Sequence, residues 1–271
     1  MEGEEPTLFQ VLRILRREAR EIQQVTNTRG NTHTALSEIT VAFVTHLSSK
    51  YQPIAVDEKS IETMQNYLTP GCPATYAEQL EQPITEAELL AAVRAGARRI
   101  SPEIDGMSLE FYSANWETIR EDLLRLLNHM FLHKHIPQRQ KQGILVCLPK
   151  SNTATTLDDY RPISLLTTEY KLLARIVARR LRQALAEQLQ KSQFCGVPGN
   201  SILDATSSVR DVLAHYEATG TPLCVLTLDF KQAFDRVSHH YLFCILRGYG
   251  ISPFLWRGYR HYTDRQRRPY K

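Results

Sequence analysis

Leu223-Cys224-Val225-Leu226-Thr227-Leu228-Asp229-Phe230 is apolar or β-forming throughout until it meets a single acid. With Pro222 ahead of it, the segment 222–230 predicts a strand buried on both faces, because its apolar positions run on without alternating. Such a strand loses stability if its closing carboxylate finds neither water, a partner nor a metal. Two readings of Asp229 follow. It caps the helix predicted next, over residues 231–248. Or it holds a divalent cation beside a polyphosphate, since magnesium takes one or two protein carboxylates and fills its shell with phosphate oxygens and water.

Working outward, apolar spacing predicts helices over residues 8–25, 36–46, 51–67, 117–132, 171–189, 201–217 and 253–262. Thr85 and Glu88 spell a capping box before another helix that fades near Ile100. Residues 26–34 are polar around Gly30 and read as a break. Residues 69–83 carry three prolines and Gly71 and read as a loop. Residues 143–148 predict a second buried strand, and 151–159 and 192–200 polar loops. The fold class is α+β, with helices outnumbering strands.

Charge is unevenly spread. Residues 1–140 hold 14 Lys and Arg against 19 Asp and Glu, whereas residues 141–271 hold 19 against 10. The second part is the one suited to a polyanion. On the helix over 171–189, Lys171, Arg175, Arg179 and Arg182 form a stripe apart from Leu172, Ile176 and Leu185. That stripe reads equally as a nucleic-acid face and as a solvated one. His129 and His133 stand four apart on a helix, but no acid directly follows His129, and the pair reads as surface. No window is apolar enough for a membrane span. Five scattered cysteines without a CxxC pair fit a reducing, intracellular setting, nuclear or cytoplasmic. The acidic, polar start at residues 1–6 does not read as a secretory signal.

Four blocks, in order, carry a resemblance. They are DGMSLEFY (105–112), YRPISLL (160–166) followed by YKLLA (170–174), QFCGVPGNSI (193–202) and LDFKQAFDRV (228–237). Together they resemble the reverse transcriptases of LINE-type, non-LTR retrotransposons over about residues 84–262. The resemblance implies an incomplete right-hand polymerase fold, with helix-rich fingers and the first part of the palm over 84–271. Residues 1–83 would be a helical extension or linker.

The same resemblance implies roles. Asp229 would be the first catalytic, magnesium-binding carboxylate, with the backbone carbonyl of Phe230 a further ligand. Phe234 would lie under the sugar of the incoming nucleotide and exclude a 2′-hydroxyl. Lys150 and Arg161 would clamp its triphosphate. Lys171, Arg175, Arg179 and Arg182, with Gln193 and Gly196, would meet the template. The partners implied are an RNA template, a DNA primer and dNTPs. Oligomeric state is not implied.

The family's later [FY]-A-D-D block has no counterpart in these 271 residues; Asp158-Asp159 precedes YRPISLL and cannot serve. The thumb is expected to be absent too. The expectation is therefore a polymerase fragment that is inactive alone, with its first palm strand unpaired and exposed. The alternatives are a non-catalytic RNA-binding module and a retroelement relic without function.

Overall fold

The computed structural model describes residues 22–52, 56–68, 71–96, 106–186, 188–190, 192–197, 199–230, 233 and 236–254. The chain divides into two compact units, Met1–Pro53 with Leu145–Ile163 and Ile54–Ile144 with Ser164–Lys271. Residues 25–43 share a hydrophobic core with residues 147–160, far along the chain.

In the first unit, β1 (Val25–Thr26) and β2 (Thr32–His33) pair antiparallel, Val25 opposite His33 and Thr26 opposite Thr32. Gly30 takes φ +84° at their turn, a conformation open to glycine, so the expected break is a hairpin. The helix expected over 8–25 lies almost wholly outside the described residues. Helix α1 (Leu36–Lys50) buries Ile39, Phe43 and Leu47, one residue per turn on a single face. Strands β3 (Gly143–Pro149) and β4 (Tyr160–Leu166), of which residues 145–149 and 160–163 fall in this unit, form the second two-stranded sheet. Val25, Ile39, Phe43, Leu157 and Tyr160 close the core, with Phe43 edge-on to Tyr160 at 5.2 Å.

The second unit is helical: α2 (Glu58–Asn66), α3 (Ala74–Glu81), α4 (Glu86–Arg94), α5 (Leu109–Ala114), α6 (Trp116–Leu132), α7 (Thr168–Leu185), α8 (Ile202–Thr219) and α9 (His239–Gly248). Thr85 and Glu88 make the reciprocal capping box that starts α4. Helix α7 packs against α3, α4 and α6 and buries Leu172, Ile176 and Ala184. Leu89, Leu127 and Leu172 are fully enclosed. Each contributes about 2 kcal/mol by leaving water.

Two expectations are corrected. The expected loop over 69–83 contains α3. Pro73 occupies its N-cap position and Pro83 lies beyond its end, so the prolines bound a helix rather than forbid one. Leu80 then docks with Ala184 and Ile251. The expected buried strand 222–230 has no regular secondary structure and is exposed throughout; Leu226 and Phe230 are each 77% exposed. A strand exists only through pairing, and among the described residues no strand pairs with it. Helix α9 accordingly starts at His239, capped by Ser238, rather than directly after Phe230.

Candidate functional site

In the first unit, Lys150 and Arg161 come to the same end of the β3–β4 hairpin. The Lys150 backbone N–H donates to the Asp159 carbonyl at 2.8 Å, and its ammonium donates to the Asp158 carbonyl. A single 3-10 turn, Leu157–Asp159, links the loop to β4. Thr155 N–H, Thr156 N–H and the Thr156 hydroxyl all donate to Asp159 Oδ2 at 2.8–3.1 Å. These bonds, led by the Thr156 backbone and helped by the charge of Lys150, hold the Asp159 carboxyl below its ordinary value. Tyr160 turns inward, and Arg161 next to it is exposed. The hairpin therefore presents one cation pinned by its own turn and one in solvent.

In the second unit the four cations of α7 do not form one face. Arg179 and Arg182 are exposed, and Lys171 is half-buried. Arg175 donates to the Ala92 carbonyl at 2.8 Å, completing the end of α4. Gln193 and Gly196 line an open cleft of about 490 Å³ with Gln190, Val197 and Tyr249. Gly196 is at φ +78°. The Gln193 carbonyl accepts from Asn200 at 2.7 Å, which ties the loop shut.

Asp229 and the Phe230 carbonyl stand in the exposed segment of the second unit. Both donors are oxygens, the type that suits magnesium. Among the described residues no group of three or more His, Cys, Asp or Glu is placed to hold a metal ion. Phe234 lies outside the described residues, as does the basic, tyrosine-bearing tail from 257 onward. His129 and His133 are exposed, with ring centres 4.7 Å apart.

Two polar links escape a reading of the sequence. Arg180, 8% exposed, donates to both Glu88 carboxylate oxygens at 2.7 Å and to the carbonyls of Gln82 and Pro83 at 2.6 and 3.0 Å. Its signal is present: Arg180 falls four residues after Ile176, on the buried stripe itself. Tyr112, from the DGMSLEFY block, donates to Glu169 Oε1 at 2.7 Å beneath the start of α7. The nearby Thr168 hydroxyl donates to the Met107 carbonyl at 2.8 Å. The block at 105–112 and the YKLLA helix are thus joined in one buried network.

Comparison with known proteins supplies a family for part of the chain. Residues 148–270 match the family model for reverse transcriptase (RNA-dependent DNA polymerase), which implies a palm-and-fingers fold. The Transposon TX1 uncharacterized 149 kDa protein of Xenopus laevis is 38% identical over 65% of this chain and 14% of its own length. The Pol polyprotein of the type-1 retrotransposable element R1 of Bradysia coprophila is 34% identical over 55% of this chain and 15% of its own. That of the type-2 element R2DM of Drosophila melanogaster is 29% identical over 47% and 12%. The chain spans about one seventh of the length of these relatives. Over this region the chain is similar to the reverse transcriptases of LINE-type, non-LTR retrotransposons.

Proposed function

We propose that the chain is the fingers and first palm segment of an RNA-directed DNA polymerase acting inside the cell, which adds dNTPs to a DNA primer on an RNA template. The observation that carries this reading is the pair of exposed oxygen donors, Asp229 and the Phe230 carbonyl, inside the matched region 148–270. Magnesium held there would supply positive charge for the attacking 3′-hydroxyl and the leaving pyrophosphate. The chain's own residues do the rest. Arg161 grips phosphate oxygens through its planar fork, and Lys150 adds a point charge. Phe234 sets a bulky ring against a 2′-hydroxyl and selects deoxynucleotides. Arg179 and Arg182 neutralise template phosphates, and Gln193 and Gly196 border the base pair being formed. Lys171, half-buried, contributes less than these, and Arg175 is held by the Ala92 carbonyl of α4.

Extension of a primer further requires the acidic hairpin that these 271 residues do not contain, so the chain alone is expected to bind nucleotide without polymerising it. Binding of magnesium–dATP is the test. Asp229→Ala and Arg161→Ala should each raise Kd at least about tenfold, the scale of one charged hydrogen bond removed. Unchanged binding in both variants overturns the reading. In a longer chain carrying the hairpin, incorporation that survives Asp229→Ala removes Asp229 from the mechanism.

The exposure of Arg179 and Arg182 also favours a second reading, RNA binding without catalysis. The double charge reversal should flatten the salt dependence of RNA affinity by roughly 0.7 to 0.9 in log–log slope for each phosphate left without its cation. An unaltered slope rejects an RNA-binding role for this helix.

A further inference from the structure

Residues 25–47 precede every motif that marks the polymerase, yet they hold the turn on which the triphosphate clamp is built. Three fasteners reach residues 155–160. The Thr26 N–H donates to the Thr155 carbonyl at 2.8 Å. Phe43 packs edge-on against Tyr160 at 5.2 Å. His46 Nε2 lies 3.3 Å from Asp158 Oδ1, with the imidazole only 14% exposed. His46 follows Phe43 by three residues on α1, so the helix meets the turn with a ring and an imidazole from adjacent turns.

Asp158 is the centre of this arrangement. Its carboxylate is engaged by His46, and its carbonyl accepts from the Lys150 ammonium. An entering triphosphate must draw that ammonium off the carbonyl. A carboxylate on the same residue, if released, would compete for the same ammonium and repel the incoming anion. We propose that His46 is a positioning residue for the triphosphate clamp, holding the Asp158 carboxylate against α1 so that it does not join Asp159, itself tied to Thr155 and Thr156, in competing with phosphate for Lys150 and Arg161. This rests on the reading of Lys150 and Arg161 given above. It makes α1 a working part of the nucleotide site rather than an extension ahead of it.

Binding of inorganic tripolyphosphate by the full chain, followed by calorimetry, tests the proposal. Lys150→Ala and Arg161→Ala report on the clamp; if neither weakens binding, the clamp reading itself fails. With the clamp upheld, His46→Gln should raise Kd three- to tenfold. The double variant His46→Gln with Asp158→Asn, which removes the rival charge, should return Kd to within about twofold of the parent. A purely structural role for His46 would not allow that rescue, because the double variant lacks the His46–Asp158 contact as fully as the single one. Unchanged binding in His46→Gln overturns the proposal, and so does a double variant as weak as the single. A thermal melt of each variant identifies loss of folding; if His46→Gln unfolds, Asp158→Asn alone, expected to bind at least as tightly as the parent, decides, and weaker binding by it overturns the proposal.

Discussion

Arg180 makes four hydrogen bonds in the second unit. It satisfies both oxygens of Glu88 and two carbonyls at the entry to α4, with the guanidinium also 5.4 Å above the Phe131 ring. Removing one partner of such a pair strands the other. Arg180→Met should cost about 3 kcal/mol, read as a shift in urea midpoint, with Arg180→Lys recovering little because a point charge cannot span both oxygens and both carbonyls. Glu88 gives the pH dependence. Burial pushes its carboxyl up, but the Arg180 hydrogen bond, the Thr85 N–H and the Arg180 charge together bring it below its ordinary 4.5. A carboxyl lowered by folding stabilises the fold above its unfolded value and stops doing so as pH falls through the folded one. Stability should therefore decline as pH drops below about 4.5, and Glu88→Gln should flatten that decline in an acid titration followed by circular dichroism. At this scale the sequence is half legible. The capping box is readable because its partners are three residues apart, whereas Arg180 looks like a lapse in an apolar stripe until its partners, more than 90 residues away, are in place.

Among the elements, α7 and α8 are both 18 residues long yet differ in what holds them. Helix α7 buries six residues; α8 buries none and depends on its Ser201–Asp204 capping box and the Gly220 cap at φ +64°. In proteins most helical stability comes from packing an apolar face rather than from propensity. Amide hydrogen exchange should be faster across 202–219 than across 168–185 by orders of magnitude. Ser201→Ala, costing about 1 kcal/mol, should speed exchange in α8 and leave α7 unchanged. Helical periodicity finds both helices but cannot grade them, because amphipathicity states what a face could bury and not whether anything meets it. The same reason undoes the strand over 222–230: its composition is β-forming, but pairing requires a neighbour.

At the scale of the whole molecule, a run of exposed apolar residues stands out among the described residues. Val225, Leu226, Leu228 and Phe230 are all more than 60% exposed, and the α8 residues Ile202 and Leu203 exceed 70%. An extended apolar segment with free backbone groups templates pairing between chains. The chain should self-associate as concentration rises, and Leu226→Lys with Leu228→Ser should reduce that in light scattering without changing the melting of the second unit. No helix is long and apolar enough to cross a membrane, among the described residues.

Taken alone, the order of amino acids determined the local matters and the descent. The capping box at Thr85, the turn glycine at 196, the amphipathic α7 and the four ordered blocks depend on contacts or patterns within a few residues, and such terms act before the chain is folded. Tertiary structure decided which of those groups remain available. Arg175 is taken by Ala92, Lys150 by its own turn, and Tyr112 by Glu169; α1, by contrast, is recruited to support a hairpin more than a hundred residues away. The physical reason is that burial and hydrogen bonding reward whichever partner arrives in space, and no local pattern names a partner that distance along the chain conceals.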